Sequence, residues 1–132
     1  MAEYEIPKDL KYTKDHEWAK INGDVVTTGI TDYAQKELSD IIYVELPDVG
    51  AQVEQFNPFG NLEAVKTVAD LFAPVSGTVI EVNDNLRDDP GLINRDPYGD
   101  GWIIKIRMSN PDELNDLLTP EQYEELIGGE GG

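Results

Sequence analysis

The 132-residue chain contains no cysteine and only one histidine, His16. The first absence removes disulfides, thiolate metal sites and a thiol nucleophile, so any sulfur redox chemistry has to arrive on a cofactor. The second removes paired-imidazole metal sites and leaves few routes to an activated serine. Positive charge is scarce too: 10 Lys and Arg stand against 27 Asp and Glu, a formal net charge of −17. A field of that sign argues against nucleic acid and anionic membranes as partners. No apolar run approaches the roughly 18 residues that a membrane helix needs. Residues 1–10 carry acids and a proline instead of an apolar signal core or an Arg-rich amphipathic stretch. A cytoplasmic protein is therefore expected, organellar only if the sequence is a mature form.

What is present reads as β structure. The length suits one domain with its own core, placed at residues 1–127, followed by a Gly-rich tail at 128–132 expected to be disordered. Residues 11–21 and 24–30 flank Asn22-Gly23, a pair suited to a tight turn with positive φ at both centres, so a hairpin is expected. Thr31 and Asp32, with Gln35 beyond, cap a short helix. Residues 41–46 alternate as a strand, and 61–65 and 68–73 are two further strands meeting at Lys66-Thr67. Another strand covers 78–82. Residues 83–101 read as a long surface loop with one helical turn around Leu92-Ile93, and 102–108 as the last strand. Asn110 and Thr119 open two short C-terminal helices, the second stopped by Gly128. The fold class is thus mainly β: a sandwich or flattened barrel of two small antiparallel sheets with short C-terminal helices.

From residue 37 to 86 the sequence holds nine acids and a single cation, Lys66. On position alone, an ordinary exposed lysine is the simplest reading. A Schiff-base lysine needs burial or a neighbouring cation to lower its pKa, and a tip surrounded by carboxylates offers neither. A covalent attachment site needs the reverse, an exposed amine on a rigid turn that a separate ligase can reach. Other constellations fail. His16-Glu17-Trp18-Ala19-Lys20 begins like a zinc-protease helix but has Lys20 in place of the second histidine, so His16 is expected to pack or hydrogen-bond. Asp96, Tyr98, Asp100 and Gly101 resemble half a calcium loop, yet Arg107 occupies the position of the bidentate acid. Trp18 and Trp102 read as core or rim residues of strands.

The run Glu63-Ala64-Val65-Lys66-Thr67-Val68-Ala69-Asp70, followed by Ala73-Pro74-Val75-Ser76-Gly77, resembles the swinging-arm segment of lipoyl carriers, specifically of the glycine cleavage H-protein family. Tyr12 with His16-Glu17-Trp18, residues 29–35 and 40–47, and Gly99-Asp100-Gly101-Trp102 agree with that family in order and spacing. Biotin carriers place methionines on both sides of their lysine, whereas Val65 and Thr67 stand here. The resemblance implies a lipoyl-type fold and a carrier without catalysis of its own. Lipoate would be amide-linked to Lys66 and would shuttle the aminomethyl group of glycine. The implied partners are glycine decarboxylase, the aminomethyltransferase, dihydrolipoamide dehydrogenase and a lipoate ligase or lipoyl transferase; a monomer is expected. Glu17 and Asp70 match family positions where the loaded arm rests, with plain solvated charge as the alternative. Asp15 replaces a small hydroxyl residue common in relatives, and Ala64 a common serine.

Three other readings stay open at this point. An H-like protein can donate lipoyl groups to other complexes. An acidic interaction module needs no cofactor, and a hydrolase needs only a carboxylate pair.

Overall fold

The computed structural model describes residues 4–131, with side chains through Gly128. Among the described residues, nine strands form two antiparallel sheets. The larger has the order β1 (Lys11–Tyr12), β2 (Glu17–Asn22), β3 (Val25–Ile30), β9 (Ile104–Met108), β8 (Gly77–Val82), β5 (Gln52–Val53). The smaller is β4 (Ile41–Glu45), β6 (Pro58–Ala64), β7 (Val68–Phe72). Helix α1 (Asp32–Leu38) connects the two sheets, α2 (Asn85–Asp88) and α3 (Leu92–Arg95) precede β9, and α4 (Pro120–Gly131) closes the chain. The mainly-β expectation of two antiparallel sheets holds; the sheets do not close into a barrel.

The β-branched run Val25-Val26-Thr27-Thr28 builds β3, whose register with β2 runs from Asn22↔Val25 to Glu17↔Ile30. The turn lies one residue later than expected. Asn22 remains in the ladder, and of the two loop residues only Gly23 has positive φ, at 64°. Glycine takes the left-handed value without a Cβ penalty, and Asp24 avoids it. Helix α1 is capped as expected, with Thr31 Oγ1 accepting from the Ala34 amide at 3.2 Å.

Four further expectations are corrected. The 83–101 segment holds two helical turns rather than one, because Leu86 and Ile93 are each fully buried and anchor them. Trp102 lies before the last strand, not in it. Its carbonyl and that of Asp100 accept from Asn83 Nδ2 at 2.7 and 2.8 Å, which takes them out of the ladder. The first C-terminal helix is a 3-10 helix over Pro111–Asp116. The second runs to Gly131 rather than stopping at Gly128, so of the expected tail only Gly132 lies outside the described residues.

β2 feeds two cores because successive side chains point to opposite faces. Ala19 and Ile21 join Val26, Leu62, Leu71 and Ile104 in the apolar core. Trp18 turns the other way, toward Tyr12, Tyr33 and Tyr123. Its indole donates to the Pro97 carbonyl at 2.9 Å and lies over Gly29, where a Cβ would sit 2.9 Å from Nε1. Glu17 has the same parity as Ala19 and Ile21, so the pleat sends a carboxylate toward the apolar face.

Candidate functional site

The β6–β7 hairpin carries Lys66. Glu63 pairs with Val68, and the Ala64 amide donates to the Thr67 carbonyl at 2.8 Å, which leaves Val65-Lys66 as a two-residue loop. The Val65 amide donates to the Asp40 carbonyl at 3.2 Å and ties the tip to the strand beside it. Residues 65–68 are all exposed, Val65 by 65% and Val68 by 62%. Lys66 makes no ion pair or side-chain hydrogen bond among the described residues. A short turn on a braced hairpin therefore presents one amine to solvent.

Beside this hairpin lies a cleft of about 290 Å³ between the start of β2, helix α1 and the edge of β7. Its floor is apolar, with Ile30, Leu62 and Leu71, and four acids line it: Asp15, Glu17, Glu37 and Asp70. Glu17 is 1% exposed. Thr13 Oγ1 donates to Glu17 Oε1 at 2.7 Å, and the Phe72 amide donates to Oε2 at 3.2 Å. The same Thr13 oxygen accepts from the amides of Asp15 and Glu17 at 3.2 and 3.1 Å, which organises the loop into β2. Burial pushes the Glu17 carboxyl up to about 8 against those hydrogen bonds, and the Asp15 charge adds to the rise. The solvated-charge alternative for Glu17 does not survive this placement.

Asp70 is exposed at the rim of the same cleft, opposite Asn61 in the ladder. β7 is the edge of its sheet, so alternate backbone groups face away from β6. The Phe72 amide is one of these, and Glu17 satisfies it. Asp70 lies four positions beyond Lys66, about 13 Å along an extended chain. The structure thus brings Glu17 and Asp70 to one cleft and sets Lys66 at the far end of the strand that forms its edge.

Sequence reasoning missed Glu37 and Thr13. Glu37 stands one turn beyond Tyr33 on α1, and Thr13 lies four residues before Glu17, a hydroxyl spacing suited to a local side-chain bond. His16 is a hydrogen-bonding residue as expected, with Nδ1 2.9 Å from the Tyr123 hydroxyl. No described helix is long and apolar enough to cross a membrane.

The profile of the family described as glycine cleavage H-protein matches residues 10–130. A glycine cleavage system H protein of Carboxydothermus hydrogenoformans is 52% identical over 126 residues, covering 96% of this chain and 97% of that one. One from Rubrobacter xylanophilus is 56% identical over 119 residues, covering 90% and 92%. The crystal structure of a glycine cleavage system H protein from Mycobacterium marinum superposes with a TM-score of 0.84 at 41% identity, covering 96% of this chain and all of that one. With the tip, the cleft and these likenesses in agreement over nearly the whole length, the chain belongs to the glycine cleavage H-protein family.

Proposed function

We propose that this chain is the lipoyl carrier of a glycine cleavage system, with lipoate in amide linkage on Lys66 Nζ. The observation that carries the reading is the exposed amine on a two-residue turn in a member of this family. The residues present fit the group: the amine is open to an acylating enzyme, and the cleft joins an apolar floor to carboxylates. When bound, the lipoyl group supplies a dithiolane that takes up the aminomethyl unit of glycine and carries it between enzymes. Lys66 fixes the tether, and the braced hairpin limits the freedom lost at each encounter, raising the local concentration of the tethered end. Ile30, Leu62 and Leu71 offer apolar contact to the arm, Asp70 at the rim attracts its cationic end, and Glu17, kept largely neutral near pH 7 by burial, offers it a hydrogen-bonding contact at the floor. The partners are glycine decarboxylase, the aminomethyltransferase, dihydrolipoamide dehydrogenase and a lipoate ligase or lipoyl transferase. The chain itself performs no catalysis and acts as a cytoplasmic monomer, one carrier unit over residues 1–127.

Intact-mass analysis after incubation with lipoate, ATP and a lipoate ligase tests this directly. One lipoyl group should be added to the wild-type chain and none to Lys66→Arg; a labelled Lys66→Arg chain would remove the assignment.

A further inference from the structure

The C-terminal helix reaches the frame of the cleft through Tyr123, whose hydroxyl and ring both meet His16. Tyr123 of α4 is fully buried, its ring stacked on Tyr12 with centroids 4.7 Å apart and planes 11° from parallel. The Tyr123 oxygen lies 2.9 Å from His16 Nδ1 and 2.7 Å from Thr31 Oγ1. Those two residues begin opposite walls of the cleft. His16 immediately precedes Glu17 and holds φ at 71°, a left-handed value that a residue with a side chain keeps only where its surroundings impose it. Thr31 caps α1, which brings Tyr33 and Glu37 to the facing wall. The Thr31 amide also donates to the His16 carbonyl at 3.0 Å, so both segments meet where the Tyr123 hydroxyl sits.

We propose that Tyr123 is a positioning residue for Glu17: its hydroxyl fastens the His16 and Thr31 segments to the C-terminal helix and thereby keeps the carboxyl at the buried floor of the cleft. Its bearing on arm docking rests on the carrier reading above. The positioning itself is a property of the unmodified chain. The geometry gives the reason: the loop that delivers Glu17 spans only residues 13–16, between the short β1 and β2. It is held inside by Thr13 and outside by Tyr123. The titratable groups around Glu17 are Asp15 and His16 on its own loop, Tyr33 and Glu37 on α1, and Asp70 on β7. A Tyr123→Phe substitution replaces none of them and takes from His16 only the hydroxyl 2.9 Å from its Nδ1.

The test follows the Glu17 carboxyl carbon by NMR across pH in the unmodified chain, assigned by comparison with Glu17→Gln. The wild type should titrate near 8. Tyr123→Phe keeps the ring stack, and its midpoint should fall by about one unit or more, since water reaching the carboxyl relieves the desolvation that dominates the shift. Tyr12→Phe is the control. It removes a buried hydroxyl from the same aromatic cluster, one that donates to the Pro7 carbonyl at 2.6 Å, and should leave the midpoint within about 0.3 unit. Thermal melting confirms that each variant is folded. If Tyr123→Phe melts too low, Thr31→Val should move the midpoint down while Thr31→Ser, which retains the hydroxyl, should not. An unmoved midpoint in Tyr123→Phe, or in Thr31→Val where it stands in, would overturn the proposal. So would equal shifts in both Tyr→Phe variants, or a wild-type midpoint already in the ordinary carboxylate range. Lipoylation of Lys66 should proceed equally in wild type and Tyr123→Phe. A wild-type chain that takes up no lipoate would remove the carrier reading and leave the titration result standing.

Discussion

The two ends of β7 treat charge in opposite ways. At its start, Lys66 stands on a two-residue turn with its neighbours Val65, Thr67 and Val68 all exposed. At its end, the Phe72 amide meets Glu17, a carboxyl that is 1% exposed and pushed up to about 8, so that most of it is protonated near pH 7. A group that an outside enzyme must acylate gains from hydration and reach. A group that holds something gains from being fixed and dry, and the desolvation costs stability. One strand of five residues joins the two, which places the proposed attachment point and the proposed docking cleft at opposite ends of a single stiff element.

The contrast can be broken at its rigid end first. Trp18→Ala removes a fully buried indole and its bond to the Pro97 carbonyl, and should cost about 3–5 kcal/mol in urea denaturation. Next comes the carboxyl itself. Glu17 has an ordinary value of 4.5 and a folded one of about 8, so the folded chain binds more protons than the unfolded one between those limits. Stability from this group is therefore greatest below 4.5, declines as pH rises, and reaches its minimum above about 8. At roughly 1.4 kcal/mol per unit the full span has an upper limit of several kcal/mol. Relative to Glu17→Gln, the wild type should lose a few kcal/mol between pH 5 and 8; parallel curves would mean that Glu17 is hydrated after all. The smallest effect belongs to the tip, where Val65→Ser should change stability by about 0.5 kcal/mol or less. A loss at Val65 approaching that at Trp18 would erase the distinction between the two ends.

How much of this could be read from the residues depends on how local the cause is. The β2–β3 hairpin and the Lys66 tip were legible because alternation, β-branching and turn chemistry act within a few residues. Strands β1 and β5 are two residues each, too short to show a period. The cap at Thr119 was visible, and in the structure it forms a reciprocal pair with Gln122, whereas the stop at Gly128 was overridden, since a glycine ends a helix only where the chain turns away. Glu17 was picked out by resemblance, but its burial was hidden. The amide that partners it is 55 residues away, and the Tyr123 hydroxyl lies 107 residues from His16. Among 27 acids no local pattern marks the one that the pleat turns inward.

The attachment point is the claim on which the carrier reading depends, and peptide mapping of the wild-type chain after enzymatic lipoylation tests it most directly. The added mass should fall on the peptide containing Lys66 and on none of the other six lysines. Lipoyl mass distributed over those lysines, or confined to one outside the β6–β7 turn, would contradict the account.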